Sequence, residues 1–404
     1  MRIIVLMPTE SIWSRNFVYE LINLGHKVFV VDISPRNRPV GYLSKKEAFQ
    51  LDDIYQFTNS VDKLFYINSR FGLLYNFVKR IFIIRKIQRR EKTEAILSLY
   101  GGAWGLTAFL TQLRPLFIYM VGSDILLSTR LKLIITRRVI QSADFVFSNG
   151  IYLCKKAQEI APKAKIENLY LGVDTNKYRP ADELSTEKRY NTITDNLEFA
   201  NRVTEQGSRN ILIICTRGFE AIYNNKYLID GLKEISKKGL PDFNIVFTSK
   251  GSLLNDIKEY TNQVLNQSQR EQVKFLGGIP ESMLIKYLKQ SQIYVSLSKS
   301  DGASISLMEA FSCSLFPILS DIPANREWIY KNNGILVPLD KPKILAEAIV
   351  KAIENANWRN RAGKINREMI LQNGSSDKNN KYFENKVTTI ISEYTKNNPK
   401  LFKR

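Results

Sequence analysis

The feature that most constrains this chain is a series of short, uninterrupted apolar runs, each followed by a segment with helical amphipathic spacing. Runs such as RIIVLM at 2–7 and ILIIC at 211–215 do not alternate apolar and polar residues. A strand has this pattern when helices cover both faces of its sheet, which is typical of parallel sheets. The pattern therefore predicts an α/β protein built on parallel strands.

The strand–helix pattern runs through the first part of the chain, stops, and then repeats. The first part has predicted strands at 2–7, 27–32, 95–99, 116–120 and 144–148, and helices near 13–24, 70–90, 103–112, 129–140 and 150–160. The second part has predicted strands at 211–215, 243–248, 273–276, 292–297 and 316–319, and helices near 225–237, 253–264, 280–290, 305–314 and 341–354.

This repetition predicts two doubly wound, Rossmann-like domains, residues 1–180 and residues 210–375. Residues 181–209 are polar and charged with few apolar anchors, so we interpret them as a linker or a surface excursion. The helix-like end, 376–404, is expected to pack back on the first domain. Ligands of such sheets bind beyond the carboxyl ends of the strands, which is where candidate site residues belong.

The composition is that of a folded and strongly basic protein. Apolar residues make up 44% of the 404, which excludes a disordered chain. Three scattered cysteines and one histidine, His26, argue against a disulfide framework and exclude paired-histidine metal sites. We find no stretch long enough to span a bilayer and no signal peptide, which predicts a cytoplasmic protein.

The segment 300–328 carries the most informative residues. Asp301 follows a predicted strand, and a helix begins near Ser304. The first amides of a helix favour an anion such as a phosphate. Glu309, about one turn into this helix, can accept hydrogen bonds from sugar or ribose hydroxyls. The local alternative is that Ser306 and Glu309 form only an S-x-x-E capping box.

A second candidate cluster follows the predicted strand 211–215. Arg217 and Gly218 come soon after this strand, and Lys226 lies where the next helix begins. Two cations at that place could clamp a diphosphate, the arginine as a planar fork and the lysine as a point charge. Ordinary surface charge is the alternative, because the chain has 59 basic residues.

Taken in order, these segments resemble the family-4 retaining glycosyltransferases, which have the GT-B fold of two Rossmann-like domains facing a cleft. The family carries a Glu-x7-Glu motif, and the matching stretch here is Asp-x7-Glu, from Asp301 to Glu309. Arg217 and Lys226 match its phosphate-binding arginine and lysine. Further segments follow the family pattern: 168–180 (NLYLGVDTNKYRP), 276–302 and 320–328 (SDIPANREW).

The resemblance implies a retaining, hexosyltransferase-type enzyme that moves a sugar from a nucleotide diphosphate sugar to a hydroxyl. It assigns catalytic roles to Asp301, Arg217 and Lys226. It assigns donor binding to Glu309, Ala303, Ser304, Ile305, Gly218 and Ile279. Asp301 is one methylene shorter than the family's glutamate, so we expect altered reach toward the donor sugar.

The first domain offers two candidates for contact with the acceptor, Glu10 and Asp124. Asp124 could instead be the N-cap of the helix that follows it. The sequence has no cluster of Asp or Glu with metal-ligand spacing and no D-x-D motif. We therefore predict activity without a metal ion or another cofactor.

The positive charge is concentrated in the first domain, with a net of +13 in residues 1–180 and +7 in the remainder. Its sharpest concentration is 71–92, where an apolar stripe is flanked by lysines and arginines. Such a helix can lie on an anionic membrane, although much of the stripe could face the domain core. Because family members often act on lipid-linked or envelope-glycan acceptors, we expect peripheral attachment to the inner face of the cell membrane.

Two other functions are compatible with parts of the sequence. Another GT-B enzyme, a nucleotide-sugar epimerase or a glycoside phosphorylase, would share the fold, but no segment suggests the pyridoxal lysine that a phosphorylase needs. A non-enzymatic nucleic-acid-binding protein is permitted by the charge of +20. However, the basic stretch lacks regularly spaced aromatic residues and no nucleic-acid motif is present. We therefore expect a nucleotide-sugar donor as partner and no nucleic acid.

Overall fold

The apolar runs form two parallel sheets in the computed structural model, which describes residues 1–33, 61, 63–66, 73–181, 211–235, 242–330 and 332–399. Each sheet lies in its own unit. Unit 1 comprises Met1–Leu171 with Asp377–Arg404, and unit 2 comprises Gly172–Ser376. Apart from residue 181, the predicted linker at 181–209 lies outside the described residues.

Unit 1 has a seven-stranded sheet in the order β3-β2-β1-β4-β5-β6-β7, with every pairing parallel. The strands are β1 (Arg2–Leu6), β2 (Lys27–Asp32), β3 (Lys63–Tyr66), β4 (Ala95–Leu99), β5 (Leu116–Met120), β6 (Phe145–Ser148) and β7 (Ile166–Asn168). The helices are α1 (Ile12–Asn23), α2 (Leu73–Glu91), α3 (Ala103–Leu110), α4 (Ser123–Leu126), α5 (Arg130–Ser142) and α6 (Ile151–Ile160).

Unit 2 has a six-stranded parallel sheet in the order β10-β9-β8-β11-β12-β13. The strands are β8 (Ile211–Cys215), β9 (Phe243–Phe247), β10 (Val273–Phe275), β11 (Ile293–Ser296), β12 (Phe316–Ser320) and β13 (Ile335–Val337). The helices are α7 (Asn225–Lys233), α8 (Leu254–Val264), α9 (Gln267–Glu271), α10 (Glu281–Gln290), α11 (Ile305–Ser312), α12 (Pro323–Arg326), α13 (Pro342–Glu354) and α14 (Ala356–Met369). The chain ends in α15 (Ser376–Asn397).

Every predicted strand is present, with ends that agree to within one residue. The prediction missed the short strands β3, β7 and β13, the short helices α4, α9 and α12, and the longer helix α14. Each of the three missed strands lies at an edge of its sheet. An outermost strand is covered less completely than a central one, so its sequence need not be a continuous apolar run.

Both faces of the unit 1 sheet are covered by apolar side chains. Ile118 and Val146 join the core beneath the helices α2, α3, α5 and α6. Their neighbours Tyr119 and Phe147 point to the opposite face, as the two-residue period of a strand requires. On that face the Phe383 ring of α15 lies with its centroid 4.8 Å from that of Phe147.

The helix α2 contains most of the predicted membrane-binding stretch at 71–92. Ile84 and Ile87 of the predicted apolar stripe are buried in the core of unit 1, whereas Val78 and Phe82 are exposed. The side chains of 71–77 lie outside the described residues. Ile84 and Ile87 therefore follow the alternative that part of the stripe faces the domain core, and membrane contact by the remainder stays a prediction. Within the described residues, no helix has the length and apolar character to cross a bilayer.

The aromatic cluster around α15 leads to a stability prediction. Phe383 is fully buried against Phe17, Tyr119 and Phe147. We expect Phe383→Ala to lower the free energy of unfolding of unit 1 by about 3–5 kcal/mol, because the lost ring leaves a cavity.

Amide hydrogen exchange measures this effect, with the strands of unit 2 as an internal reference. The exposed neighbour Lys381→Ala is the control and should change stability by no more than about 0.5 kcal/mol. Unchanged protection of β5 and β6 in Phe383→Ala would show that α15 is not part of this core.

Candidate functional site

The strand order of unit 2 fixes where its site lies. The chain proceeds outward from β8 to β9 and β10, then returns to place β11 on the other side of β8. The loops after β8 and β11 therefore lead in opposite directions and leave a crevice at the carboxyl ends of the two strands, where ligands of open parallel sheets bind. Arg217 follows β8 and Asp301 follows β11.

Arg217 is the centre of this group. Its Nη2 donates to Asp301 Oδ2 over 2.8 Å, and its Nη1 donates to Ser304 Oγ over 2.7 Å and to Ser306 Oγ over 3.1 Å. The side chain of Arg217 is only 11% exposed and that of Asp301 19%. The structure thus brings together three of the predicted residues, Arg217, Asp301 and Ser304, as a largely buried cluster.

The start of α11 differs from one expectation. Ser304 is the N-cap, and its hydroxyl accepts from the amide of Leu307. Ser306 lies inside the first turn, where its hydroxyl contacts Arg217 and lies 3.0 Å from the Tyr294 hydroxyl. The proposed capping box of Ser306 and Glu309 is therefore wrong, because the helix begins two residues earlier than that motif requires.

Arg217 is also held from its flat side. Its guanidinium carbon lies 4.4 Å from the centroid of the Tyr223 ring, a cation–π contact. Gly218 permits this stacking, since a Cβ at that position would lie 3.1 Å from the Tyr223 ring. Tyr223 was not predicted as a site residue. Its position between Arg217 and the next helix is the signal that would have suggested it.

Glu309 lies in a second part of the site, with residues that the sequence did not single out. The hydroxyl of Tyr178 lies 2.9 Å from Glu281 Oε1 and also faces Glu309, so its single proton is shared between two carboxyl groups. Lys177 Nζ lies 2.6 Å from the other oxygen of Glu281. Burial raises the pKa of Glu309 to about 7, although the hydrogen bond from Tyr178 lowers it.

Lys226 lies at the start of α7 and contacts an aspartate and a tyrosine of unit 2. Its ammonium group lies 3.2 Å from Asp230 Oδ2 and 4.0 Å from the centroid of the Tyr260 ring, and its side chain is about half exposed. Two cations that clamp one diphosphate need not contact each other, so these contacts of Lys226 leave the two-cation clamp with Arg217 a prediction. The role of Lys226 in donor binding stays a prediction.

The remaining donor-binding candidates of unit 2 lie on the loops around this crevice. Ala303 is buried and Ile305 is the first, partly buried residue of α11. Ile279 precedes α10 on the loop after β10, partly buried. That loop adjoins the loop after β9, since a Cβ on Gly278 would lie 3.3 Å from the Lys250 side chain. The donor-binding roles of these residues stay predictions.

In unit 1, Asp124 is buried and accepts a hydrogen bond from the amide of Gly101 over 2.7 Å. Burial raises its pKa to about 6, and the Gly101 hydrogen bond opposes this. Gly122 is the N-cap of α4, so the alternative of Asp124 as N-cap is wrong. Glu10 is exposed, on the loop after β1. Contact of either residue with an acceptor stays a prediction.

No three His, Cys, Asp or Glu side chains lie close enough to hold a metal ion in the part of the chain that the structure describes. Asp301, the carboxylate nearest the centre of the site, is instead engaged by Arg217 and by the amide of Gly302 over 2.9 Å. Burial raises the pKa of Asp301, and the positive charge of Arg217 opposes that rise. Independence from metal stays a prediction.

Part of the chain is similar to a known protein family. Residues 196–369 match the family described as Glycosyl transferases group 1. The GDP-mannose:cellobiosyl-diphosphopolyprenol alpha-mannosyltransferase of Xanthomonas oryzae pv. oryzae is 27% identical over 128 residues, which is 31% of this chain and 33% of that protein. The matched regions span between 33% and 41% of the length of the curated relatives.

Two solved structures resemble nearly the whole chain. The glycosyltransferase from Rickettsia africae ESF-5 superposes with a TM-score of 0.75 at 14% identity, covering 96% of this chain and 98% of that one. Anabaena HepE in complex with UDP-glucose superposes with a TM-score of 0.73 at 14% identity, covering 96% and 100%. At this identity the likeness concerns the fold alone, and it confirms the predicted GT-B class.

The buried ion pair leads to a prediction on stability. Asp301→Ala leaves the Arg217 guanidinium without its carboxylate in a largely dry site, so we expect unit 2 to lose about 3 kcal/mol of unfolding free energy. Asp321→Ala is the control, because the Asp321–Arg326 pair is of similar length but 35% and 60% exposed. It should cost less than about 1 kcal/mol. Hydrogen exchange of β8 and β11 measures both, and equal losses would contradict the assignment.

Glu309 leads to a prediction on pH. Folding raises the pKa of Glu309 from its ordinary 4.5 to about 7. As pH rises, the carboxyl therefore loses its proton at a lower pH in the unfolded chain than in the folded one. Between these values the folded state binds more protons, so the contribution of Glu309 to stability falls as pH rises. Relative to wild type, Glu309→Gln should gain on the order of 2–3 kcal/mol across this interval. Urea unfolding at a series of pH values measures it. A difference that stays constant with pH would disprove it.

Proposed function

We propose that this chain transfers a hexose from a nucleotide diphosphate sugar to a hydroxyl of a lipid-linked or envelope-glycan acceptor. The match of residues 196–369 to the group 1 glycosyltransferases supports the proposal. One observation carries the proposal. Asp301, Ser304 and Ser306 fix the Arg217 guanidinium beside the first turn of α11. This is the place where the strand order of the unit 2 sheet reverses. A planar cation next to a helix N-terminus suits a diphosphate.

The reaction needs stabilisation of the leaving group above all. As the bond between the anomeric carbon and the diphosphate oxygen breaks, that oxygen gains negative charge. Arg217 is fixed before the reaction begins, so it can stabilise this charge without reorganising. The acceptor oxygen forms the new bond on the same face of the anomeric carbon from which the diphosphate leaves, and its proton passes to the departing diphosphate. This route retains the anomeric configuration and uses no protein nucleophile.

The two acidic residues of the Asp-x7-Glu stretch have separate parts in this proposal. Asp301 accepts hydrogen bonds from hydroxyls of the donor sugar and keeps Arg217 in place. Glu309 accepts hydrogen bonds from the donor when its side chain is ionised. Because its pKa is about 7, this donor binding depends on pH near neutrality. Tyr178, held between Glu309 and Glu281, orients the Glu309 carboxylate.

The names of similar proteins suggest the classes of donor and acceptor. The Xanthomonas relative is named for GDP-mannose and a saccharide on a diphosphopolyprenol, and the Anabaena structure holds UDP-glucose. We therefore propose a sugar nucleotide as donor and a polyprenol-linked saccharide as acceptor, met by the protein at the inner face of the cell membrane. The basic helix α2 within 71–92 is part of this proposal.

The test is a thermal-shift comparison of UDP-glucose and GDP-mannose, followed by an assay for nucleoside diphosphate release with and without polyprenol-linked saccharides. Stabilisation by one of the two donors and release that depends on the acceptor would support the proposal. Release without an acceptor, or isomerisation of the donor sugar, would point to a different GT-B activity. Stabilisation by oligonucleotides alone would overturn it.

The planar guanidinium of Arg217 leads to a kinetic prediction. Arg217→Lys keeps the positive charge but lacks the several fixed donors that let one side chain bind Asp301 and a diphosphate at once. We therefore expect kcat/KM to fall by about 10²-fold or more. Arg326→Lys is the control, since Arg326 pairs with Asp321 at the surface and is 60% exposed. Its kcat/KM should stay within about twofold of wild type. Equal rates for the two variants would exclude Arg217 from the chemistry.

Metal independence leads to the last prediction on activity. If Arg217 and the first amides of α11 stabilise the diphosphate, exhaustive chelation should leave the rate of transfer within about twofold of the untreated rate. The measurement compares the enzyme after EDTA treatment and gel filtration with the same sample after addition of manganese. A rate that is lost on chelation and returns with manganese would show that a metal ion stabilises the departing diphosphate.

A further inference from the structure

The helix α5 and the turn before it expose apolar side chains that a folded surface usually buries. Leu127 is 57% exposed, Leu131 70% and Ile134 59%. These three exposed large apolar side chains lie within eight consecutive residues of the described chain. We define the α5 face as Leu127, Arg130, Leu131, Ile134, Arg137 and Arg138.

The helical period explains why these residues share a face. Ile134 comes three residues after Leu131, and Arg138 comes four after Ile134, spacings that place side chains on one side of a helix. The opposite side holds Val139 and Ile140, both fully buried in the core of unit 1. The helix is therefore already anchored by one apolar side, and its second apolar group faces away from that core.

The charge around the α5 face has a single sign. Residues 125–143 contain Arg130, Lys132, Arg137 and Arg138 and no aspartate or glutamate. All four are exposed, and no ion pair recorded among the described residues involves any of them. Exposed leucine and isoleucine bordered by unneutralised cations is the pattern of a surface that meets both hydrocarbon and anions.

The helix α2 extends this surface. Both α2 and α5 pack against α3, and both contribute to the same core, α2 through Ile84 and Ile87. They therefore belong to one helical layer, from which Phe82 of α2, 68% exposed, also points outward. The exposed apolar groups of unit 1 thus lie on the outside of this layer on more than one helix.

We propose that the α5 face docks on an anionic lipid bilayer, with Leu131 and Ile134 entering the boundary between headgroups and acyl chains. Arg130, Arg137 and Arg138 then lie at the level of the lipid phosphates. Each cation near such a surface strengthens binding, and the apolar side chains add burial that electrostatic attraction alone does not give. The inference rests on the membrane attachment in the proposed function and deepens it by assigning a second docking surface, whereas its test does not depend on the transfer reaction.

Charge and composition favour a bilayer over two other occupants. A second copy docked through the same face would bring the arginines of both copies together, which costs free energy. A nucleic acid would satisfy the arginines but leave the leucines without apolar partners, and residues 125–143 contain no aromatic side chain for stacking on bases. A bilayer with anionic headgroups satisfies both parts of the face.

The test is co-sedimentation of the full chain with vesicles of phosphatidylcholine containing phosphatidylglycerol, compared with phosphatidylcholine alone. Leu131→Gln with Ile134→Gln removes the apolar part without changing charge, and Arg130→Glu with Arg137→Glu reverses the charge. The matched controls lie on exposed positions of unit 2. They are Ile344→Gln with Ile365→Gln, at 43% and 38% exposure, and Lys343→Glu with Arg361→Glu.

We expect wild type to bind only the anionic vesicles and each α5-face variant to lose at least about tenfold in affinity. Both controls should bind within about threefold of wild type. Thermal unfolding midpoints equal to wild type would show that the variants are folded, and the sedimentation needs no donor or acceptor. The outcome is therefore separate from that of the glycosyltransferase assay.

Several outcomes would overturn the proposal. Binding by the Leu131→Gln, Ile134→Gln variant equal to wild type would mean that the apolar group does not enter lipid. Equal losses in the α5-face and unit 2 charge variants would mean diffuse attraction without a docking face. A wild-type dimer in light scattering that the Leu131→Gln, Ile134→Gln change converts to a monomer would mean that a second copy covers the face.

Discussion

The ion pair between Arg217 and Asp301 is the contact on which the rest of the candidate site depends. A guanidinium removed from water costs free energy unless a carboxylate and further acceptors replace the lost hydration. Asp301, Ser304 and Ser306 supply those acceptors, and the Tyr223 ring covers the flat side. The same contacts that make burial tolerable also fix the guanidinium in one orientation. This fixed orientation is what stabilisation of a diphosphate requires.

A close approach of two backbone segments sets how the chain enters and leaves unit 2. The amide of Val173 donates to the Gly374 carbonyl over 2.8 Å, and the amide of Ser376 donates to the Val173 carbonyl over 3.0 Å. Gly172 has φ of +73°, and a Cβ there would lie 2.8 Å from the Gly374 oxygen. Only glycine fits both conditions. The two ends of unit 2 therefore meet, which allows α15 to follow directly and to complete the aromatic core of unit 1.

The sequence was most informative about the central strands and least informative about the edges. A central strand such as β8 is covered on both faces, so all of its residues are apolar and it stands out in the sequence. The outer strand β7, with the sequence IEN, is only partly buried and gives no such signal. The helix α2 shows another limit of prediction from sequence. The sequence identified its apolar residues, but the packing of α2 on the sheet decides which of them face the core.

For the site, the sequence by itself determined that Arg217 and Asp301 follow strands, because polar residues after apolar runs mark the carboxyl ends of a parallel sheet. The order and spacing of those segments also predicted the glycosyltransferase family that residues 196–369 match. Only the tertiary structure decided that Ser306 binds Arg217 while Lys226 contacts Asp230, and that Tyr178 lies between Glu281 and Glu309. These contacts join side chains from different loops. Their geometry depends on strand order and helix starts, which local patterns leave open.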